Sequence, residues 1–175
     1  MKKFELTSEF VTNIFGTKLF RIKALIAFGY VEVGELGGYI EKEENLSQGG
    51  DAWVYGNAKV YGNAEVYGNA KVYGDAWVYG NAKVYGDAEV YGDAKVCGDA
   101  DYATIHGFGS CYRTSTFFRN QDGGISVRCG CFYGTLEQFR AKVKETHGGT
   151  KYAEEYLQIA DLMEFHFKKE GESDV

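Results

Sequence analysis

Residues 51–100 read DAWVYGNAKVYGNAEVYGNAKVYGDAWVYGNAKVYGDAEVYGDAKVCGDA, a six-residue unit, Val-Tyr-Gly-(Asn/Asp)-Ala-x, repeated without a break. An alanine follows each valine by four positions. The valines are Val54, Val60, Val66, Val72, Val78, Val84, Val90 and Val96. An aliphatic residue at the first place and a small residue at the fifth are typical of a left-handed parallel β-helix, in which three units form one triangular coil. The repeat therefore predicts a solenoid whose units bury apolar surface only by stacking on one another.

The outward positions of the repeat should form rows, because side chains three units apart lie above one another at about the 4.8 Å spacing of strands. The rows are Glu65, Lys83 and Asp101; Trp53, Lys71 and Glu89; and Lys59, Trp77 and Lys95. The tyrosines stack as Tyr55, Tyr73 and Tyr91, as Tyr67 and Tyr85, and as Tyr61 and Tyr79. Cross-strand pairs and cation–π contacts of this kind stabilise a sheet.

Two interpretations of the aromatic rows are open. They are ladders that stabilise the coil, or they form a contact surface, since Tyr and Trp are enriched at interfaces. On the second interpretation the interface residues are Tyr55, Tyr73, Tyr91, Trp53 and Trp77. The expected partner is a second copy of the chain, and three-fold packing is the usual result of a triangular prism. We therefore expect a homo-oligomer, with a trimer favoured.

The flanks of the repeat predict a mostly β fold with a helical C-terminal end. Residues 1–50 are expected to form a β cap over the open core of the solenoid at 51–101. Residues 102–133 should form a β-hairpin region, and residues 134–168 a unit of two α-helices. Residues 169–175 are expected to be a disordered tail.

The predicted hairpin has strands at 111–120 and 125–133, joined by the glycine-containing turn Gln121-Asp122-Gly123-Gly124. Thr135 and Gln138 have the spacing of a capping box, which predicts a helix that ends at Gly148-Gly149. A second helix is expected over 151–167.

The composition excludes several classes of function. A net charge of −6 and a pI of about 5.1 disfavour direct binding of duplex nucleic acid, which needs a basic surface. The chain has no run of about 18 apolar residues, so we expect no membrane-spanning helix. Lys2 and Lys3 precede no apolar stretch, which is a poor signal peptide, so the expected location is the cytoplasm of a bacterial host cell. The four cysteines are then expected as thiols.

The first hundred residues also resemble a known family. The segments that carry the resemblance are Gly37-Gly38-Tyr39-Ile40-Glu41, Asn45-Leu46-Ser47-Gln48 and Asp51-Ala52-Trp53-Val54-Tyr55. They resemble bacterial and prophage hexapeptide-repeat proteins that are described as polymer-forming proteins or as transferases. Small phage-borne members have a similar tail, matched here by Arg113-Thr114-Ser115-Thr116-Phe117-Phe118, Cys129-Gly130-Cys131-Phe132 and Thr135-Leu136-Glu137. The resemblance implies a left-handed β-helix and a mobile-element origin, whereas the transferase name implies little, because a fold does not carry a function.

Catalysis and metal binding are the weaker interpretations. Hexapeptide acyltransferases use a histidine at a cleft between subunits, but residues 51–100 contain no histidine, so His106 is the candidate for acyl transfer. His106 with Cys111, Cys129 and Cys131 supplies the ligand types of zinc. However, the spacing departs from Cys-x₂-Cys, and strand alternation places Cys129 and Cys131 together on a buried face. We therefore predict buried thiols, no metal and no other cofactor.

The segment from His106 to Thr116 is the candidate binding site. Glycines expose backbone N–H groups, arginine offers a planar fork and hydroxyls add further donors, so the segment could hold an anion such as a nucleotide phosphate. The predicted ligand-binding residues are His106, Gly107, Gly109, Arg113, Thr114, Thr116 and Arg128. Arg113 and Arg128 would lie on adjoining strands. The alternative is a glycine-bent hairpin with ordinary cross-strand pairs.

Three functions are expected from these patterns. The first is a non-enzymatic phage or prophage protein, with an anti-defence role, that sequesters an anionic nucleotide-type ligand at clefts of an oligomer. The second is an acidic, tyrosine-rich scaffold that binds and blocks a host protein. The third is a hexapeptide-type acyltransferase.

Overall fold

A computed structural model describes residues 1–168, and the predicted disordered tail at 169–175 lies outside the described residues. The chain divides into two compact units, the first over Met1–Asp99 and the second beginning at Ala100. The fold class predicted from the repeat is confirmed in its main features. It is mostly β, with a three-turn parallel β-helix, a C-terminal antiparallel sheet and two C-terminal helices.

The first unit begins with three antiparallel strands. They are β1 (Phe4–Thr12), β2 (Lys18–Ala24) and β3 (Leu36–Ile40). The turn between β1 and β2 is held by the Asn13 side chain, which accepts hydrogen bonds from the backbone N–H groups of Phe15 and Thr17, both at 2.9 Å. β3 then pairs with the solenoid in parallel, with Tyr39 opposite Lys59, so the cap sheet continues one face of the coils.

The solenoid has eight strands of two residues each. They are β4 (Trp53–Val54), β5 (Lys59–Val60), β6 (Glu65–Val66), β7 (Lys71–Val72), β8 (Trp77–Val78), β9 (Lys83–Val84), β10 (Glu89–Val90) and β11 (Lys95–Val96). They pair in parallel three units apart, as β4–β7–β10, β5–β8–β11 and β6–β9. Every repeat valine is fully buried, and the repeat alanines from Ala58 to Ala94 are buried with them, so these residues fill the coil interior as predicted. The last repeat alanine, Ala100, is exposed and belongs to the second unit.

The tyrosine ladders predicted from the 18-residue spacing are confirmed. The rings of Tyr55 and Tyr73 stack with centroids 4.4 Å apart and an interplanar angle of 10°. The other stacked pairs are Tyr61–Tyr79 at 5.2 Å and Tyr67–Tyr85 at 5.3 Å, and Tyr73–Tyr91 is tilted at 5.5 Å.

Two of the predicted charged neighbours are present on the coils. The Lys59 ammonium lies 5.8 Å from the Trp77 ring centroid, and the Lys83 ammonium lies 3.8 Å from the Glu65 carboxylate. Asp101, the predicted third member of the Glu65–Lys83 row, belongs to the second unit, where it pairs with Arg119 at 3.2 Å, and its place in the row stays a prediction. The Lys83 backbone N–H donates to the Asp99 side chain at 2.8 Å, which takes the place of the carbonyl of a further coil.

Trp53 is the other correction among the outward positions. Its side chain is fully buried, because Phe4 and Phe28 of the cap pack edge-on against the indole, with centroids at 6.2 and 5.3 Å. The Lys3 ammonium lies beside the same aromatic group. It donates to the Ala52 carbonyl at 2.9 Å and lies 4.8 Å from the Phe28 ring centroid. Trp53 therefore anchors the cap and offers no surface to a partner.

The second unit is a four-stranded antiparallel sheet with two helices. The strands are β12 (Tyr102–Ile105), β13 (Ser115–Arg119), β14 (Ile125–Cys129) and β15 (Phe132–Thr135), and they are ordered in the sheet as in the chain. The helices are α1 (Leu136–His147) and α2 (Lys151–His166). Phe117 and Val127 of the sheet pack with Phe139, Tyr156 and Ala160 of the helices to form the core.

The predicted capping box is confirmed. The Thr135 hydroxyl accepts from the Gln138 N–H at 3.2 Å, and the Gln138 side chain accepts from the Thr135 N–H at 2.9 Å. The predicted return strand over 125–133 was wrong, because Gly130 adopts a φ of +60° and splits it into β14 and β15. Among residues 1–168, no helix has the length and the apolar character needed to cross a bilayer.

Substituting a corner glycine tests the stacking of the coils. Gly80 and Gly86 have φ values of +67° and +66°, a conformation that costs an L-residue about 1–2 kcal/mol. A Cβ at Gly80 would collide with the Cys97 carbonyl oxygen, whereas a Cβ at Gly86 meets nothing within 4 Å. We expect Gly86→Ala to lower the free energy of unfolding by about 1–2 kcal/mol and Gly80→Ala to lower it further. Urea unfolding followed by tryptophan fluorescence measures this, since both tryptophans lie in the first unit. Equal losses in the two variants would contradict close packing at the corner.

The buried Lys3 predicts a pH dependence. Burial lowers the pKa of Lys3 from 10.5 to about 8, and Asp51 opposes this only in part. Between pH 8 and 10.5 the folded chain therefore binds fewer protons at Lys3 than the unfolded chain, so this group's contribution to stability rises with pH. We expect the wild type to gain stability relative to Lys3→Met as the pH rises from 8 to about 10. A difference between the two proteins that stays constant over this range, measured by urea unfolding, would refute the assignment.

Candidate functional site

The second unit contains a pocket of about 320 Å³, here called the Arg113 pocket. Its apolar side consists of Phe132, Phe139, Val143 and Tyr156. Three basic residues also line it: Arg113, Lys142 and His147. The other lining residues are Cys111, Cys129, Cys131, Ser110 and Thr146. The pocket therefore combines an aromatic floor with basic groups in a chain whose net charge is negative.

The floor is built by β15, α1 and α2. Phe139 contacts the Phe132 ring at 5.6 Å and the Tyr156 ring at 5.7 Å, the latter edge-to-face. Burial, and then the neighbouring Cys129, raises the pKa of Tyr156 to about 12. A phenol is neutral at physiological pH at its ordinary pKa and remains so here, so Tyr156 adds no negative charge that would repel an anion.

The loop from 106 to 114 closes one side of the pocket. Gly109 lies on the Tyr156 ring with a φ of +71°, and any Cβ there would collide with the ring. The Gly109 N–H donates to the Glu155 carboxylate at 2.9 Å, a bond that lowers the pKa of Glu155 together with the Lys151 ammonium. The predicted role of Gly109 was therefore wrong, since its N–H already binds a carboxylate of the chain and its surface is buried.

Arg113 reaches the pocket from the end of this loop. Its guanidinium packs against the backbone of Gly130, so closely that a side chain at position 130 would collide with it. The preceding residue, Tyr112, has a φ of +51° and an exposed side chain. A bulky residue in the left-handed region is an outlier that is often found at functional sites. Of the predicted ligand-binding residues, Arg113 is the one that lines the pocket.

His106, Gly107 and Thr114 lie elsewhere on the loop. His106 Nδ1 is 3.0 Å from the Thr114 hydroxyl, so these two predicted residues bind each other. Gly107 is exposed, with a φ of +87° and open space around it. None of the three lines the Arg113 pocket.

Thr116 and Arg128 were predicted beside Arg113, and this was wrong. They lie opposite each other on β13 and β14, where alternation places them on the sheet face turned away from Val127 and the helices. Thr116 is 1% exposed and cannot touch a ligand. Arg113 lies before β13 rather than within it, so the two arginines do not share a site.

Sequence reasoning missed the residues that α1 and α2 contribute. Lys142, Val143, Thr146 and His147 lie on α1 and reach the pocket because that helix packs on the sheet. His147 also contacts the Tyr156 ring, at 5.8 Å. The i, i+4 spacing of Phe139 and Val143 marks an inward face of α1, but no sequence signal shows which loop faces it.

The cysteines differ from the prediction of buried thiols. Cys111 and Cys131 are exposed, because Gly130 turns the chain before Cys131, and Cys129 is half-buried. The Ser115 hydroxyl donates to Cys129 Sγ at 3.1 Å. Within residues 1–168, no group of three or more His, Cys, Asp or Glu side chains has a geometry that could hold a metal ion.

The predicted interface residues other than Trp53 lie on the solenoid surface. Tyr55, Tyr73, Tyr91 and Trp77 are half-buried by neighbouring rungs, and Trp77 contacts Lys59. Their role in oligomer formation stays a prediction.

No protein-family model matches the chain, and a search of curated proteins finds no relative. The resemblance to hexapeptide-repeat proteins therefore stays an expectation from sequence, and the site is argued from its own chemistry.

The contact between Gly109 and Tyr156 predicts a pair of variants with different effects. Gly109→Ala should displace the loop from the ring, whereas Gly107→Ala has the same backbone penalty in open space. We expect amides of residues 106–114 to exchange hydrogen markedly faster in Gly109→Ala than in Gly107→Ala. Hydrogen-exchange mass spectrometry measures this, and equal exchange in both variants would mean that the ring does not hold the loop.

Proposed function

We propose that the second unit is a non-enzymatic binding module for a small anionic ligand that carries an aromatic ring, such as a mononucleotide. The observation that supports this is the convergence of Arg113, Lys142 and His147 on a floor made by Phe132, Phe139 and Tyr156. A guanidinium presents a planar fork to phosphate oxygens. The Lys142 ammonium is a point charge that pairs with the Glu145 carboxylate at 2.9 Å, and a ligand phosphate would compete with that carboxylate. Aromatic side chains hold a base by stacking, which contributes about 1–3 kcal/mol per base.

The volume of the pocket limits the size of the ligand. Its volume of about 320 Å³ lies at the lower end of the range of about 300–1,000 Å³ that is usual for small-molecule sites. A single nucleotide fits this class better than a dinucleotide. The residues that line the pocket all come from one chain, so this site, unlike the oligomer cleft expected from sequence, needs no second copy.

A role in a phage or prophage is the second part of the proposal. A module that binds a nucleotide without turning it over would lower the free concentration of that nucleotide in the cytoplasm of a bacterial host. Anti-defence sequestration is one use of such binding. This part is supported by the sequence resemblance, whereas the ligand class is supported by the pocket.

Isothermal titration of adenosine 5′-monophosphate, with adenosine as the uncharged control, tests the ligand class. Because hydrogen bonds to charged groups contribute about 1.5–3 kcal/mol, we expect Arg113→Gln to weaken binding of the monophosphate at least about tenfold. Arg128→Gln removes the same charge from the opposite face of the sheet and should leave the affinity unchanged. Added salt should weaken binding of the monophosphate but not any binding of adenosine. Equal affinity for the two compounds, or equal losses in the two variants, would refute the assignment.

A further inference from the structure

Three of the four cysteines lie around the Arg113 pocket. Cys111 is in the loop before β13, and Cys129 and Cys131 flank Gly130 in the turn between β14 and β15. The fourth, Cys97, is also exposed but belongs to the first unit. The pocket thus places thiols that are distant in sequence around one cavity, which the anion-binding proposal does not use.

The Arg113–Gly130 contact places the Cys111 loop beside the turn between β14 and β15. The guanidinium lies on the Gly130 backbone, in the space that a Cβ at position 130 would enter. Cys111 is two residues before Arg113, and Cys131 is one residue after Gly130. The two segments that carry these cysteines are therefore docked on each other, and both side chains remain exposed.

Cys111 has the surroundings of a reactive thiol. The Ser110 hydroxyl lies 3.7 Å from its sulfur, and that hydrogen bond, followed by the positive charge of Arg113, lowers the pKa of Cys111 below its usual value. The thiolate is the form that attacks an electrophile. Tyr112, between Cys111 and Arg113, adopts its positive φ at the same place, so the loop is held in an unusual conformation beside the sulfur.

Cys131 is the better partner for Cys111. Its side chain is exposed, whereas Cys129 is half-buried and its sulfur accepts a hydrogen bond from the Ser115 hydroxyl. Cys129 also contacts Tyr156 in the floor, so moving it towards Cys111 would disturb the core.

We propose that Cys111 and Cys131 form a peroxide-responsive dithiol pair at the mouth of the Arg113 pocket. The Cys111 thiolate attacks one oxygen of hydrogen peroxide, so that an S–O bond forms, the O–O bond breaks and the leaving hydroxide is protonated to water. Cys111 is oxidised to a sulfenic acid, and the peroxide is reduced. Cys131 then gives up its thiol proton and attacks the Cys111 sulfur, which forms the S–S bond and breaks the S–O bond. The leaving hydroxide takes that proton and departs as a second water.

Peptide mapping after treatment with hydrogen peroxide and alkylation tests the pair. In the wild type we expect a Cys111–Cys131 disulfide, and in Cys131→Ser we expect Cys111 to accumulate as a sulfenic acid that dimedone labels. Cys97 is the internal control, because it is exposed, belongs to the first unit and does not line the Arg113 pocket. Oxidation of Cys97 as fast as Cys111, or a disulfide between Cys111 and Cys129, would overturn the proposal.

The role of Arg113 is read separately, from the rate of alkylation by iodoacetamide at neutral pH. We expect Arg113→Gln to slow labelling of Cys111 several-fold, because Cys111 loses the positive charge that lowers its pKa. Cys97, which does not line the pocket, is the reference for the rate and should change less. Labelling of Cys111 at an unchanged rate would show that the guanidinium does not activate it. Both experiments use the protein without any nucleotide, so their failure is distinct from failure of the binding proposal.

Discussion

Parallel pairing between residues three repeats apart holds the first unit together. Its strands are two residues long. A single rung of that length forms few hydrogen bonds, and these alone do not offset the conformational entropy that is lost when its turns become ordered. The stabilisation from successive pairs accumulates only when every unit keeps the same six-residue phase, as in other one-dimensional repeats. One inserted residue would move the valines out of the core for all later coils. The same constraint sets the surface, because it places each tyrosine directly above the tyrosine 18 residues earlier.

At each end of the β-helix the last coil has no neighbour, so other residues must cover its core and bind its free backbone groups. At the N-terminal end, β1 to β3 continue one face of the coil, while Phe4, Phe28 and the buried Lys3 cover Trp53. At the other end, the Asp99 carboxylate accepts the Lys83 N–H that would otherwise need a further coil. Both ends use side chains to satisfy groups that the repeat satisfies with its own backbone, which explains why residues in repeat positions have different roles there.

Sequence reasoning succeeded where contacts repeat and failed where they do not. In the solenoid, one spacing fixes the partner of each residue, so the Glu65–Lys83 pair and the tyrosine ladders could be read directly. Trp53 was misjudged because its neighbours come from the cap, which has no repeat. In the second unit, alternation made 125–133 look like a single strand, although a glycine with positive φ divides it. Alternation over too long a strand also placed Cys131 in the core.

Only Arg113 of the predicted ligand-binding residues lines the pocket, and the reason is tertiary. Lys142 and His147 reach the same cavity through the packing of α1, and Tyr156 reaches it through α2. No local pattern connects these helices to a loop some 30 residues earlier. The composition of the loop therefore suggested an anion-binding site but did not identify the helix residues that complete it. The alternative interpretation of the segment, a glycine-bent hairpin with ordinary pairs, fits His106 with Thr114 and Thr116 opposite Arg128.

Both proposals depend on one guanidinium. Arg113 is held by its contact with Gly130, and its charge can stabilise either a ligand phosphate or the neighbouring Cys111 thiolate. A bound phosphate would place a second negative charge next to that thiolate, and like charges in one site disfavour each other. Ligand binding should then raise the pKa of Cys111 and protect it from peroxide, while oxidation of Cys111 would tie the loop to the turn at 130. Because the coupling is reciprocal, a phosphate bound to the guanidinium disfavours the Cys111 thiolate, and the thiolate disfavours binding of the phosphate to the same extent.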